Sequence, residues 1–437
     1  MSDLLPNNEL LPMDSTTNSV NHLEIGGCDV VNLAEEYGTP LYIFDEFTLR
    51  NMCSQFKTEF TSRYENTKIL YASKAFINIA IAKIINDEGL GLDVVSGGEL
   101  FVAINAGTDI SNVYFHGNNK SIEELELAVK NKIGRIVVDN FYELDKLNEI
   151  ARNLGAVQDI LIRVSPGIDP HTHEKTTTGI LDSKFGFSIE TGDALRAIQK
   201  SESLGNLNFQ GVHFHLGSPI FELDPYEQGI KTVLSFTSSN NIELNEFSSG
   251  GGFAIGYVQE SLPPSVASYA EAITRTLIST CSNLGIRPPS LIIEPGRSII
   301  GRAGVALYSV GAIKDIPNIR KYVSLDGGMG DNVRPAMYDA KYSAVIANRV
   351  SDNPEEIVSL AGKYCESGDI LIKDIKLPVL ETGDMIAIPS SGAYAPSMAS
   401  NYNLNPRPPM VMVLKGKSRL IRRKEEYQDY LIFDVIK

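Results

Sequence analysis

The chain has no paired cysteines, no surplus of positive charge and no long apolar run, and each absence narrows what it can be. Its four cysteines, Cys28, Cys53, Cys281 and Cys365, show no C-x-x-C spacing, so neither a disulfide framework nor a structural zinc site is expected and the thiols read as reduced. With 39 Lys and Arg against 54 Asp and Glu, the formal charge of −15 argues against nucleic acid or an anionic membrane as a partner. No apolar stretch approaches the roughly 20 residues of a bilayer span, and residues 1–8 lack the basic start and apolar core of a secretory signal. The expectation is a cytoplasmic protein that handles small molecules. A length of 437 residues suits a barrel-sized domain and a second, smaller one.

Residues 1–21 are rich in Asn, Ser, Thr and Pro without periodicity and read as a flexible N-terminal arm. From Leu41 onward, apolar strand-like runs alternate with amphipathic helical ones. Eight strands are expected, at 68–71, 91–95, 112–115, 135–139, 159–164, 210–215, 244–248 and 291–294. The first five begin 21 to 24 residues apart, the span of a strand, a helix and two short loops. Between them, Ile122, Leu125 and Val129 fall on one helical face, and 142–147 shows similar spacing. Eight such units predict an α/β fold, a (β/α)8 TIM barrel over residues 46–299. A doubly wound open sheet usually has fewer strands, and no strand here is followed by G-x-G-x-x-G. After Arg297 the helical periodicity fades. Runs at 305–310, 322–325, 385–388 and 410–414, punctuated by Gly, Pro and Asp, predict a C-terminal all-β domain of β-barrel-like character. The short run 41–44 is expected to join it, so that residues 22–45 and 300–437 make one partly discontinuous domain.

The first barrel strand ends on Tyr71-Ala72-Ser73-Lys74 and passes at once into a helical pattern, which puts Lys74 at the rim where barrels do chemistry. A lysine held there among apolar neighbours is a candidate Schiff-base former, although most lysines are solvated surface charges. The loops after the seventh and eighth strands are the usual phosphate site of this fold. Here they read Ser248-Ser249-Gly250-Gly251-Gly252 and Glu294-Pro295-Gly296-Arg297. Glycines without Cβ atoms let backbone N–H groups close around phosphate oxygens, and Arg297 adds a guanidinium. The sixth strand carries His213 and His215, two apart and so expected on one face, a pair that could hold a metal as in barrel metallohydrolases. The chain has six histidines, none after position 215, so the later strands supply no further imidazole. An imidazole lying flat on an aromatic cofactor needs no such partner. Strand-end lysine, phosphate cradle, rim histidine and the carboxylate Glu294 together suit pyridoxal 5'-phosphate, with Lys74 on the aldehyde and Glu294 keeping the pyridine nitrogen protonated. No metal is expected.

Beyond these parts, the chain from about Thr39 onward resembles the barrel-type, fold type III pyridoxal-phosphate decarboxylases, and among them the diaminopimelate decarboxylase family. The likeness rests on Tyr71-Ala72-Ser73-Lys74-Ala75, Asp182-Ser183-Lys184-Phe185-Gly186, His213-Phe214-His215-Leu216-Gly217-Ser218, Glu294-Pro295-Gly296-Arg297, Asp326-Gly327-Gly328-Met329, Arg334-Pro335-Ala336-Met337-Tyr338, Cys365-Glu366-Ser367-Gly368-Asp369 and Ser391-Gly392-Ala393-Tyr394, in that order.

The resemblance implies decarboxylation of meso-2,6-diaminopimelate to L-lysine and carbon dioxide. Lys74 would carry the cofactor and exchange it for the substrate's amino group. His215 would stack on the ring, and Ser218, Gly250, Gly251, Gly252, Gly296, Arg297 and Tyr394 would surround the phosphate. Arg297, Arg334 and Tyr338 would grip the substrate's distal carboxylate, Glu366 its distal ammonium, and Cys365 would return a proton after carbon dioxide leaves. A homodimer with shared sites is implied, because the family brings the Cys365 loop of one subunit into the other's site. Phe76 and Pro219 depart from the family's usual Asn and Gln. The polar segment 169–179 reads as a loop closing over the site. Two other readings are a decarboxylase of the same fold acting on ornithine, arginine or D-lysine, and a non-catalytic cofactor-binding regulator. Arg334 opposes the ornithine type, since a bare distal ammonium would meet a positive charge there.

Overall fold

The computed structural model describes residues 5–169, 178 and 182–435, in two compact units. The first comprises residues 52–254 and 263–298 and is built on eight parallel strands. These are β1 (Thr67–Ala72), β2 (Gly91–Val94), β3 (Val113–Phe115), β4 (Arg135–Val138), β5 (Gln158–Ser165), β6 (Leu207–His213), β7 (Glu246–Ser248) and β8 (Ser290–Ile293). Each strand pairs with the next, and β8 pairs back onto β1 with Ile293 opposite Ile69, which closes the ring. The expected (β/α)8 barrel is therefore present. Most of its strands are buried on both faces, which is why they read as apolar runs rather than as alternations.

The intervening helices start at side-chain caps. Asn78 accepts the Ile81 N–H at 2.9 Å ahead of Ile79–Asp87, and Ser121 and Glu124 form a reciprocal capping box ahead of Ile122–Lys130. On the latter helix the buried stripe is Leu125, Ala128 and Val129, whereas Ile122, expected on that face, is exposed. It occupies the first helical position, where the chain has not yet turned onto the barrel.

Inside the barrel, Leu70, Tyr114, Val137, Leu161 and Ile292 form one packed layer. Toward the N-terminal ends of the strands lies a charged plug. Glu246 takes Lys68 Nζ at 2.9 Å, Arg135 Nε at 2.9 Å and the Tyr114 hydroxyl at 3.0 Å. Burial opposes ionisation of Glu246, but Arg135 and then Lys68 outweigh it and hold the carboxyl below its ordinary value. A carboxylate whose folded pKa is depressed stabilises above its unfolded value of 4.5 and loses that contribution as the pH falls further. Glu246→Gln is therefore expected to cost about 1 to 2 kcal/mol in denaturant unfolding at pH 7, because the half-buried Arg135 and the more open Lys68 lose a buried carboxylate while Arg135 keeps Asp159. The deficit shrinks below pH 4.5; one that is equal at pH 7 and pH 3 would show packing, not charge, at work.

The second unit comprises described residues up to 51, then 255–262 and 299–435. Its main sheet runs Ile370–Leu377, Glu356–Ala361, Arg320–Leu325, Gly304–Ile316, Leu41–Asp45, Met410–Leu414 and Lys417–Arg422, with Met385–Ile388 also on Gly304–Ile316. Leu41–Asp45 joins as expected, antiparallel to Gly304–Ile316 and parallel to Met410–Leu414. The stretch 255–262, inside the seventh βα loop, belongs to this unit, with the Ser390 hydroxyl donating to Gly256 O at 2.8 Å.

Within residues 1–21, read as a flexible arm, the described part is docked. Leu10 and Leu11 are fully buried, Arg302 Nε donates to Leu11 O at 2.7 Å, and Thr16–Thr17 pairs with Leu23–Ile25. The apolar pair sits among polar residues without periodicity, so no secondary-structure pattern announces it. Among the described residues no helix is long and apolar enough to cross a membrane.

Candidate active site

At the barrel mouth, β1 ends at Ala72, and Ser73–Ala75 forms a single 3-10 turn that lifts Lys74 off the strand. Lys74 Nζ lies 2.7 Å from Asp93 Oδ2, a carboxylate on β2 with no exposed surface. Beyond it stands Glu294, just past β8 and also buried. Its Oε1 accepts the Ser248 hydroxyl at 2.7 Å, and its Oε2 is 3.2 Å from His213 Nε2. His116, following β3, brings Nε2 to 3.6 Å from Glu294 and 3.7 Å from Asp93, its ring edge-on to His213. Burial opposes the charge on Glu294, but the imidazoles facing it, His213 first, outweigh that and hold its carboxyl at about 2. An ionised carboxylate is thus fixed at the centre of the mouth.

His213 and His215 do not work as a chelating pair. Strand β6 stops at His213, so the alternation that would put both rings on one face stops there too. His215 instead accepts the Gly251 N–H on Nδ1 at 3.2 Å. Burial, reinforced by the charge of Lys74, pushes its pKa well below the imidazole range and leaves a neutral ring, suited to lie against an aromatic face. The donors that do gather are His116, His213 and Glu294, within 4.8 Å of one another, a set that a metal ion could accept. A metal there would leave the strand-end lysine and the two glycine loops without a role.

Those loops owe their glycines to packing as much as to anion binding. A Cβ on Gly251 would stand 2.2 Å from Glu294 O, and one on Gly250, whose φ is +72°, 2.5 Å from Phe214 O. On Gly296 it would meet Ala72 O at 2.9 Å. Gly250 N–H donates to Ser248 Oγ at 3.1 Å and Gly251 N–H to His215, so two of the three consecutive amides are engaged within the chain. Gly252 is the member of the triplet outside these two bonds. Arg297 is buried and donates to the Ser218 hydroxyl at 3.3 Å. Gly251→Ala is expected to displace the backbone at Glu294, lowering Tm by several degrees and weakening cofactor retention together. A holoenzyme with unchanged absorbance and Tm would refute this.

Buried polar atoms that lack hydrogen-bond partners test whether pyridoxal phosphate fits. They include Asp93 Oδ1, His116 Nε2 and the hydroxyls of Ser73, Ser249 and Ser298. All five residues lie at the C-terminal ends of β1, β2, β3, β7 and β8. Unsatisfied buried groups are costly in a native chain unless something else meets them. Here they ring the lysine, the carboxylate and the glycine loops, so the residues fit the group. Sequence reasoning missed Asp93 and His116, and also Arg163. Arg163 is buried, 3.6 Å from Asp139, and stacked 4.4 Å over the Phe185 ring. The motif 182–186 is locked beside it by the Gly186 N–H on Asp139 Oδ1 at 2.9 Å. Residues 170–177 and 179 of the segment read as a closing loop lie outside the described residues.

In the sheet unit, Arg334 opens the short helix Arg334–Tyr338 and is buried. Its guanidinium lies 4.6 Å from the Tyr257 ring centre and 5.5 Å from that of Tyr342, and Nη1 donates to the Tyr342 hydroxyl. Among the described residues no Asp or Glu pairs with it. Tyr338 and Tyr394 are half-buried, Tyr394 with a left-handed φ of +67°. Cys365 and Glu366 are exposed; the Cys365 N–H donates to Asn403 Oδ1 at 3.0 Å, and the Tyr402 hydroxyl bonds Glu366. Asp369 anchors their loop, accepting the N–H groups of Met329 at 2.6 Å and Tyr364 at 2.8 Å. The other three cysteines are buried, and all four are free thiols.

Comparison with known proteins agrees with this site. Residues 48–301 match the family described as pyridoxal-dependent decarboxylase, pyridoxal binding domain. The diaminopimelate decarboxylase of Bacillus subtilis is 44% identical over 425 residues, 96% of this chain and 97% of that protein. That of Synechocystis is also 44% identical, covering 99% of this chain and 94% of the relative. A crystal structure of the diaminopimelate decarboxylase of M. jannaschii in complex with L-lysine superposes with a TM-score of 0.92 at 35% identity, covering 98% of this chain and 99% of that one. Near-complete coverage at such identity, on a barrel mouth already shaped for pyridoxal phosphate, places the chain in the diaminopimelate decarboxylase family of pyridoxal-phosphate-dependent decarboxylases.

Proposed function

We propose that this protein decarboxylates meso-2,6-diaminopimelate to L-lysine and carbon dioxide. The observation that carries the choice of substrate is Arg334, a buried guanidinium without a carboxylate partner among the described residues. A permanent charge in that setting calls for an anion. A substrate with a carboxylate at its non-reacting end supplies one, whereas ornithine, arginine and D-lysine do not.

Bound pyridoxal phosphate supplies the electron sink for the pair left behind when carbon dioxide departs. The remaining work falls to this chain. Lys74 Nζ would hold the cofactor, and Asp93, 2.7 Å away, would brace the ammonium whenever the lysine is free. Glu294, ionised and braced by Ser248 and His213, would keep the pyridine nitrogen protonated. His215, a neutral ring, would face the aromatic cofactor. Ser218, Gly252, Gly296, Arg297 and Tyr394 would hold the phosphate, with Gly250 and Gly251, whose amides bond Ser248 and His215, shaping the loop that carries Gly252. At the far end of the substrate, Arg297, Arg334 and Tyr338 take the carboxylate and Glu366 the ammonium. Cys365 Sγ would deliver the proton to Cα, a role open to an S–H donor. Exposure of both Cys365 and Glu366 on the single chain supports a homodimer in which each loop serves the partner's site. The acidic charge and the enzyme class support a cytoplasmic setting.

The test is carbon dioxide release by the holoenzyme from meso-diaminopimelate, D-lysine, ornithine and arginine, each offered separately. Turnover of diaminopimelate alone is expected; turnover of another substrate with none of diaminopimelate would overturn the reading.

A further inference from the structure

The sheet unit carries a cavity of about 510 Å³ that none of the residues assigned above lines, within the size range of small-molecule sites. Thr39, Asp326, Asp331 and Tyr364 line it, with Asp331 and Tyr364 buried, while Lys363 and Lys424 stand exposed at its edge. Asp326 accepts Thr39 Oγ1 at 2.5 Å and Ser309 N–H at 2.9 Å, and Asp331 accepts Gly328 N–H at 2.9 Å and the Tyr364 hydroxyl at 3.5 Å. Among the described residues no Lys, Arg or His side chain pairs with either carboxylate. Burial, with Asp326 and Asp369 as like-charged neighbours, pushes the Asp331 carboxyl up to about 7. The floor of the cavity is thus acidic, aromatic on one side and without a cation, and its rim is mixed: Lys363 and Lys424 stand beside Glu426 and beside Glu425, whose charge Arg407 and Arg422 already meet. A metal ion alone would leave most of this volume to water and would not use the two lysines.

The cavity also adjoins the loop that bears Cys365 and Glu366. Lys363 and Tyr364 lead directly into Cys365. The Tyr364 ring stacks on Tyr402 at 6.1 Å, and the Tyr402 hydroxyl bonds Glu366.

We propose that this cavity binds a small α-amino acid, its ammonium against Asp326 and Asp331 and its carboxylate toward Lys363 and Lys424, and that occupancy is transmitted through Tyr364 to the Cys365 loop. The binding half stands on the cavity alone; the transmitted half rests on the roles proposed for Cys365 and Glu366. Calorimetric titration of the holoenzyme with L-alanine, propionate and ethylamine tests it, with the cofactor absorbance followed in parallel. L-Alanine is expected to bind without changing the absorbance, and at least roughly 10-fold more tightly than either half-molecule. Lys424→Glu is expected to weaken that binding about 10-fold while leaving turnover without alanine unchanged. It should also abolish any shift in kcat that alanine causes in the wild type. Absence of L-alanine binding, or binding that perturbs the cofactor absorbance and survives Lys424→Glu, overturns the site. Binding with no effect on kcat overturns the transmitted half only. Failure of diaminopimelate to turn over would overturn the proposed reaction and leave the calorimetric result standing.

Discussion

Lys74→Ala is expected to lower decarboxylation by at least about 10³-fold and to remove the absorption band of the lysine-bound cofactor. The side chain has one reacting atom, Nζ, and among the described residues no other lysine pairs with Asp93. Its loss has a second consequence. Asp93 has no exposed surface, and its Oδ1 already lacks a partner, so removing the ammonium 2.7 Å away strands a buried carboxylate. Lys74→Ala should therefore lose stability at neutral pH, and Lys74→Ala with Asp93→Asn should regain it without regaining activity. Mixing Lys74→Ala with Cys365→Ala supplies the control for shared sites. If each site draws its lysine from one subunit and its cysteine from the other, half the re-paired dimers hold one intact site, restoring about a quarter of wild-type activity. No recovery after demonstrated subunit exchange would place both residues in a site of one chain. A Lys74→Ala enzyme that keeps its band would end the claim for Lys74 itself.

How much of this was legible in the sequence depended on whether the cause was local. Strand β8 reads as Leu291-Ile292-Ile293 because a barrel strand is buried on both sides, and Glu294 stands out as the charge that ends the run. Lys74 is visible for the same reason. Asp93 carried the same signal, a lone carboxylate inside the buried run Gly91-Leu92-Asp93-Val94, and it was open to the same argument. His116 gave less, a single polar residue after a three-residue strand. The orphan hydroxyls of Ser73, Ser249 and Ser298 were beyond reach, because serine is common in loops and only burial sets these apart. The glycine triplet does follow β7, and the structure adds a second reason for its glycines. Its amides were read as an anion cradle, yet two are spent on Ser248 and His215, and the close approach of Glu294 O forbids a Cβ at Gly251. The buried leucines at 10 and 11 and the contribution of 255–262 to the sheet unit are long-range packing that no local pattern encodes.

The surroundings of Arg334 are long-range too, since Tyr257 lies 77 positions before it, and they decide the last expectation. Arg334→Lys should lower kcat/KM for meso-diaminopimelate by roughly 100-fold, about 2 to 3 kcal/mol, the worth of one charge-assisted pair made in fork geometry. The charge survives the substitution, so the loss isolates shape. The guanidinium carbon lies 4.6 Å from the Tyr257 ring centre and 5.5 Å from that of Tyr342, and the planar group can offer its remaining N–H groups to a carboxylate in fork geometry. An ammonium is a strongly hydrated point that cannot stack in the same way, and placing it in this buried setting costs solvation that the tyrosines do not return. In the proposed binding mode the contact is with the end of the substrate that does not react, so it is made equally before and during bond breaking, and the change should appear in KM with kcat nearly constant. D-Lysine, which has no distal carboxylate, provides the internal control. Any residual turnover of it should stay the same or improve, because the lysine variant no longer aims a rigid fork at an ammonium. Equal losses for both substrates would mean that the substitution had disturbed the fold around Tyr342, and an unchanged preference for diaminopimelate would remove Arg334 from substrate selection.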